Sequence, residues 1–217
     1  MKDIILVGSG GCMREIAWQL QELNKCCELW HILGYVDCDR PLNGTGVMVG
    51  KQLIPYLGDD NFLLQKKEMV YVAICVGSPL LRRKIVNKLH RNVNLQFPNL
   101  ILNDTKICED VQMGKGCIVS MDARISTNVQ LGDFVFMNTG SMVCHDGRIG
   151  NFVTLSPDVK LAGEVTIESG CDIGMGTKVI QGITIGANAV VGAGSVVIRD
   201  ILPDCTVVGV PTRKIRG

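Results

Sequence analysis

From Ile107 onward the chain repeats every six residues. Ile107, Met113, Val119, Ile125, Leu131, Met137, Val143, Ile149, Leu155, Leu161, Ile167, Ile173, Val179, Ile185, Val191 and Val197 are all aliphatic or methionine. Such residues make up about a third of the chain, so an unbroken run of this length has a chance probability on the order of 10⁻⁷. Four residues further on, nearly every hexad carries a small residue or valine, as at Cys117, Ala123, Val129, Ser141 and Gly147, with Ile183 and Ile201 the large exceptions. Period six suits neither an amphipathic helix nor a hairpin meander. It predicts a parallel β-helix of triangular section, three hexads to a coil, with the large side chain inside and the small one at the corner. Glycine recurs at the second position, as in Leu131-Gly132 and Ile149-Gly150, where its freedom is expected to ease the turns. The phase holds from Ile107 to Val197, which predicts about five coils and no large inserted loop.

The first hundred residues follow another pattern. Ile4 to Val7 is a short apolar run ending in Gly8-Ser9-Gly10-Gly11, and Ile16, Ala17, Leu20 and Leu23 then share one helical face. Ile32 to Val36 and Tyr71 to Val76 read as further buried strands, and Leu81, Ile85, Val86 and Leu89 mark a second helix. This βαβ opening predicts a small Rossmann-like parallel sheet. Alternation stops near Pro98-Asn99, giving an α/β domain over 1–97 and a β-helix domain over 98–217.

Composition narrows the partners. Lys plus Arg number 22 against 21 for Asp plus Glu, and aromatics are 5%. So even a balance argues against nucleic acid or an anionic membrane surface as partner. The apolar run of Ile4 to Val7 is too short for a signal peptide or a membrane span. The ten cysteines form no CxxC pair, which reads as reduced thiols in a cytoplasmic protein.

Several residues are candidates for chemistry. The turn containing Gly8, Gly10 and Gly11 joins a strand to a helix N-terminus, a place that favours a phosphate. Met13 stands where a full dinucleotide fingerprint needs glycine, so a smaller nucleotide ligand is favoured over NAD. Asp37, after the second strand, occupies a position often held by a ribose- or base-binding acid, and Gly77-Ser78 points to the same crevice. In the β-helix, His145 takes the third place of its hexad and should face outward, where an imidazole can act as a base near neutral pH, oriented by Asp146. A solvated surface histidine fits the same position. The β-helix has no second histidine to build a three-His metal site.

The chain resembles the bacterial sugar acyltransferases that join a small nucleotide-binding domain to a left-handed β-helix of hexapeptide repeats. The motifs are VGSGGCMREI, GYVDCD, VAICVGSPLLRRKI, MNTGSMVCHDGRIG, LAGEVTIESG and VVGVPTRKI. The group includes N-acetyltransferases of UDP-4-amino-4,6-dideoxy sugars and sialic acid O-acetyltransferases. The resemblance implies acetyl-CoA as co-substrate and no metal. It implies His145 as catalytic base beside Asp146, Asn138 lining the acceptor pocket, and a Gly163 N–H facing the acetyl carbonyl. Gly8, Gly10, Gly11 and Asp37 would hold the nucleotide, and the enzyme would be a homotrimer with acetyl-CoA between neighbouring prisms. Three positions depart from the family pattern. Cys12 follows the glycine pair in place of histidine, Thr154 replaces a histidine that helps hold acetyl-CoA, and Asn103-Asp104 replaces His-Pro. The reading is transfer of acetyl from acetyl-CoA to the amine of a nucleotide-activated 4-amino-4,6-dideoxy sugar. A hydroxyl acceptor and a non-catalytic nucleotide-sugar-binding protein are the alternatives.

Overall fold

The fold was analysed in a computed structural model that describes residues 1–39 and 44–216. Two compact units emerge, one formed by Met1–Gly77 with Leu81–Pro98 and the other by Ser78–Leu80 with Asn99–Gly217.

In the first unit the elements run β1 (Lys2–Val7), α1 (Gly11–Cys26), β2 (Trp30–Val36), β3 (Gly46–Val49), β4 (Gln52–Gly58), α2 (Asp60–Leu64), β5 (Val70–Ile74), α3 (Pro79–Leu89) and β6 (Leu95–Gln96). They build one six-stranded sheet of order β3-β4-β2-β1-β5-β6. Ile4, Ile5, Leu6 and Val7 are all essentially inaccessible, as befits a central parallel strand covered on both faces. α1 buries Met13, Ile16, Ala17 and Leu20. The sheet is mixed rather than purely parallel, because β3 pairs antiparallel with β4 while β4 runs parallel to β2. Sequence periodicity did not expose this hairpin: β4 contains Pro55 and buries only Ile54 outright, so it lacks the apolar run of an inner strand.

The second unit is a left-handed parallel β-helix. Two-residue strands recur every six positions and stack on strands eighteen residues away. One face carries Ile118–Val119, Phe136–Met137, Thr154–Leu155 and Asp172–Ile173; the next carries Arg124–Ile125, Met142–Val143 and Lys160–Leu161; the third carries Gln130–Leu131, Arg148–Ile149 and Thr166–Ile167. The stack begins earlier than the hexad count, since Leu100–Ile101 already pairs with Ile118–Val119. Of the sixteen hexad positions all but Ile107 and Met113 are buried, and the small positions Cys117, Ala123, Val129 and Val153 complete the same core. After Val197 the period contracts: Val190–Val191 pairs with Thr206–Val207, sixteen residues on. An antiparallel strand, Arg213–Arg216, then borders this last rung.

The glycines at the second hexad position serve a different purpose from the one expected. They are absent from the left-handed conformations, which fall instead on residues such as Asp122, Asn128, Asp146, Asp158, Glu164 and Asn188, with φ between 54° and 61°. Asn and Asp adopt that region at lower cost than most residues. Gly150 is needed for close approach, because a Cβ there would lie 2.6 Å from the Ser169 amide nitrogen on the next coil. Phe134 and Phe152, also left-handed, stack their rings face to face 5.4 Å apart at one corner.

Leu161 is fully buried in the prism. Leu161→Ala is expected to lower unfolding stability by about 2–5 kcal/mol, the range for truncating an enclosed leucine. Urea unfolding followed by circular dichroism checks it.

Candidate active site

The corner between the second and third faces holds the candidate catalytic residues His145 and Asp146. His145 follows the strand Met142–Val143, and its side chain is about half exposed, so it faces outward as its place in the hexad predicted. His145 Nδ1 lies 2.8 Å from Asp146 Oδ2. Asp146 is held in the left-handed region, φ 61°, which lets two consecutive side chains meet. Its other oxygen, Oδ1, accepts a 2.6 Å hydrogen bond from Asn128 Nδ2 on the preceding coil. These two hydrogen bonds, Asn128 first and then His145, hold the Asp146 carboxyl below its ordinary value of 3.8. An ionised carboxylate only accepts, so the His145 contact is Nδ1–H donating to Asp146, and Nε2 is the ring nitrogen that the carboxylate leaves unengaged.

On the other side the ring rests against the next coil. A Cβ on Gly163 would fall among the imidazole atoms, 2.5 Å from Nε2, so only glycine lets the ring lie there. The coils are tied together at this point by Glu164 N–H donating to the His145 carbonyl at 2.9 Å. Among the described residues no carbonyl accepts the Gly163 N–H, which leaves a donor beside the imidazole. An acceptor-side base next to a free backbone N–H is an arrangement that can remove a proton and stabilise an adjacent oxyanion.

Asn138 and Thr154 are not brought to this corner within one chain. Asn138 sits where the first face turns into the second, with its Oδ1 accepting from the Thr139 amide at 2.7 Å. Thr154 lies on the first face, 4% exposed, in a strand between Phe136 and Asp172.

In the first unit, three expected positions gather at the C-terminal ends of neighbouring strands. β1 lies between β2 and β5, so its end is the point where the strand order reverses, the usual ligand crevice of such sheets. Gly8 has φ 114°, its amide donates to the Val36 carbonyl at 2.9 Å, and a Cβ there would crowd the Cys75 carbonyl at 3.1 Å. Gly10 and Gly11 are different. Neither needs positive φ, and a Cβ on either meets nothing within 4 Å. Packing within the chain therefore does not demand glycine there, which leaves space over the start of α1. Gly10 caps α1 without a side-chain acceptor, and the first turn holds no acidic residue. The helix N-terminus thus presents unneutralised amides to that space.

Asp37 turns its carboxylate back on its own loop, with Oδ1 accepting from the Asp39 amide at 3.0 Å and the Cys38 thiol at 3.4 Å. Asp37, Cys38 and Asp39 hold their ligand atoms within 4.8 Å of one another. They are three consecutive residues of an Asx turn, a geometry that needs no ion. Gly77 ends the chain segment after β5, and Ser78 falls in the second compact unit. Burial pushes the Cys12 thiol up to about 12, with Glu15 adding to the effect and Arg82 opposing it. It is therefore a neutral thiol rather than a base or nucleophile.

Two contributors escaped sequence reasoning. Arg82 is 2% exposed, and its Nη1 donates to the Val76 and Gly77 carbonyls at 2.8 and 2.9 Å. Its place among the charged residues of RRKI gave no sign of burial. Asn128 was recoverable, since it lies eighteen residues before Asp146, one full coil.

Residues 3–89 match the PglD N-terminal domain family. No curated protein matches the chain. Among solved structures, the acetyltransferase domain of PglB from Neisseria gonorrhoeae FA1090, in complex with acetyl coenzyme A, is 27% identical. The alignment covers 99% of each chain with a TM-score of 0.86. PerB from Caulobacter crescentus, in complex with CoA and GDP-perosamine, is 30% identical over 99% of this chain and 98% of that one, with a TM-score of 0.84. WeeI from Acinetobacter baumannii AYE is 26% identical over 99% of this chain and all of that one, with a TM-score of 0.82.

Asp146 and Asp110 share one physical feature: hydrogen bonds from neighbouring coils hold both carboxyls below their ordinary value. A carboxyl with a lowered folded pKa stabilises the fold fully above its unfolded value, and that contribution disappears as pH falls through the folded value. Thermal midpoints measured across a pH series should be flat from about pH 7 to 5 and decline below about pH 4. Asp110→Asn should flatten part of the acid decline.

Proposed function

The chain belongs to the bacterial sugar acyltransferases that join a PglD-type N-terminal domain to a left-handed β-helix, and from that premise we propose that it is an acetyl-CoA-dependent N-acetyltransferase. The acceptor is the amino group of a nucleotide-activated 4-amino-4,6-dideoxy sugar, an intermediate of bacterial glycan assembly. The observation that carries this reading is the outward imidazole with Nδ1 bound to an ionised carboxylate and its ring laid on Gly163. The relatives supply the substrate class: PglB is seen with acetyl coenzyme A, and the Caulobacter protein is a GDP-perosamine N-acetyltransferase seen with CoA and GDP-perosamine.

The chemistry follows from the geometry. The amine nitrogen attacks the thioester carbonyl carbon while His145 Nε2 takes a proton from it, so a C–N bond forms and the carbonyl π pair moves onto oxygen. Asp146 stabilises the resulting imidazolium. The Gly163 N–H faces the oxyanion, a contribution that grows only as negative charge develops there. Collapse breaks the C–S bond, and the imidazolium returns its proton to the departing CoA thiolate. No covalent enzyme intermediate is required.

The nucleotide falls to the first unit, with its diphosphate over Gly10 and Gly11 at the start of α1. Asp37 and Gly77 border the same crevice. Asn138 and Thr154 belong to the acceptor and acetyl-CoA sites only if a second copy brings its first face to the His145 corner. That requirement favours a homotrimer with shared sites. A reaction drawing on acetyl-CoA belongs in the cytoplasm, and among the described residues no helix is long and apolar enough to cross a membrane.

The test is release of CoA thiol from acetyl-CoA with UDP-, GDP- and CMP-linked sugars carrying amino or hydroxyl acceptors. Release is expected only with a 4-amino nucleotide sugar; release only with hydroxyl acceptors overturns the amine assignment. His145→Ala should lower kcat ~10²–10⁴-fold, and near-normal turnover in that variant would remove the base. Gly163→Ala retains the N–H but drives a methyl into the imidazole, so it should also lower kcat steeply in the same assay.

A further inference from the structure

Asp146 orients His145 through one oxygen, but its side chain is nearly half exposed, and a carboxylate held at one point can swing. Its second oxygen is taken by Asn128 Nδ2 at 2.6 Å. Asn128 is itself fixed from the coil before. Its amide donates to Asp110 Oδ2 at 3.0 Å, and the hydroxyl of Thr127 donates to the same oxygen at 2.6 Å. Asp110, Asn128 and Asp146 stand eighteen residues apart, one per coil, so the β-helix stacks three side chains into a column ending on the imidazole. Asn128 suits this place twice over: its φ of 54° lies in the region asparagine tolerates, and its amide supplies a donor that aspartate lacks.

We propose that Asn128 is a positioning residue for acetyl transfer, aiming Asp146 so that His145 keeps its proton on Nδ1 and its lone pair on Nε2. The inference rests on the reading of His145 as the base. Partners one step removed from a functional imidazole set its tautomer and orientation in this way. The charged side chains acting on the dyad are Asp146 itself and Arg148, which acts on Asp146; Glu164, on the next coil, meets His145 through its backbone N–H. None of these supplies the donor that Asn128 gives to Oδ1.

An internal comparison separates positioning from stability. Asn188 adopts the same backbone region, φ 57°, and donates Nδ2 to Asp204 Oδ1 at 3.0 Å at a different corner, with no histidine attached. Asn128→Gly and Asn188→Gly therefore remove equivalent hydrogen bonds while both tolerate the left-handed backbone.

The experiment compares the full-length wild type with these two variants by CoA release and by ¹⁵N imidazole NMR across pH. The chain has three histidines, so His145→Ala assigns the signal. Asn128→Gly should lower kcat ~10-fold while KM for both substrates stays within about twofold. The acidic limb of its kcat profile and the His145 midpoint should both move to lower pH, because a wandering Asp146 stabilises the imidazolium less. The wild-type Nδ1–H tautomer should give way to a mixture. Asn188→Gly should match wild type in all four readings. Wild-type tautomer, midpoint and kcat in Asn128→Gly would overturn the proposal, as would equal shifts in Asn188→Gly. If the wild type releases no CoA from any acceptor, the transferase reading fails, while the imidazole titration still decides whether Asn128 aims the dyad.

Discussion

Everything in the second unit depends on one repeated contact, the backbone hydrogen bonds between strands stacked in a register of eighteen residues. Each strand is two residues long, far too short to persist alone, and each coil buries its aliphatic residues only against its neighbours. The ladder sets the distance between coils, and that distance decides which side chains fit. Gly150 is glycine because the next coil's backbone occupies the Cβ position. The same spacing puts Asp110, Asn128 and Asp146 within hydrogen-bond reach of one another and lays His145 on Gly163. The candidate site is thus a by-product of stacking. A rigid, repetitive scaffold holds an exposed imidazole through a carboxylate hydrogen-bonded from the coil before and a backbone surface from the coil after.

The first unit meets a different requirement by different means. Its crevice lies where a buried central strand delivers the chain to a helix that has no side-chain cap and no acid in its first turn. In the proposed function, anion binding there would rest on backbone amides rather than surface lysines. Such a site needs no excess of basic side chains, which is compatible with a chain of almost no net charge. Buried Arg82 braces the neighbouring turn through the carbonyls of Val76 and Gly77.

Much of this was legible without coordinates. The hexads from Val119 to Val197 announced both the β-helix and its interior, because a side chain pointing inward must be apolar at every rung. The outward direction of His145 followed from its place in the hexad. The hairpin β3-β4 was not legible, since β3 is a four-residue edge strand and β4, interrupted by Pro55, buries only Ile54 outright. The purpose of the second-position glycines was also misjudged: turn conformation and close approach leave the same mark in a sequence. Arg82 was invisible because a charged residue on a helix is usually solvated.

The sequence by itself determined the periodicity, and with it the two-domain plan, the β-helix core and the outward face of His145, since period and polarity are one-dimensional properties. Only the tertiary structure decided which residues share a corner. Asn128 reaches Asp146 and Gly163 reaches His145 across coil boundaries, and Asn138 and Thr154 do not reach this corner within one chain. Hydrogen bonds of 2.6–2.8 Å depend on the rise from coil to coil and on left-handed backbone at Asn128 and Asp146. Those quantities arise from stacking in three dimensions.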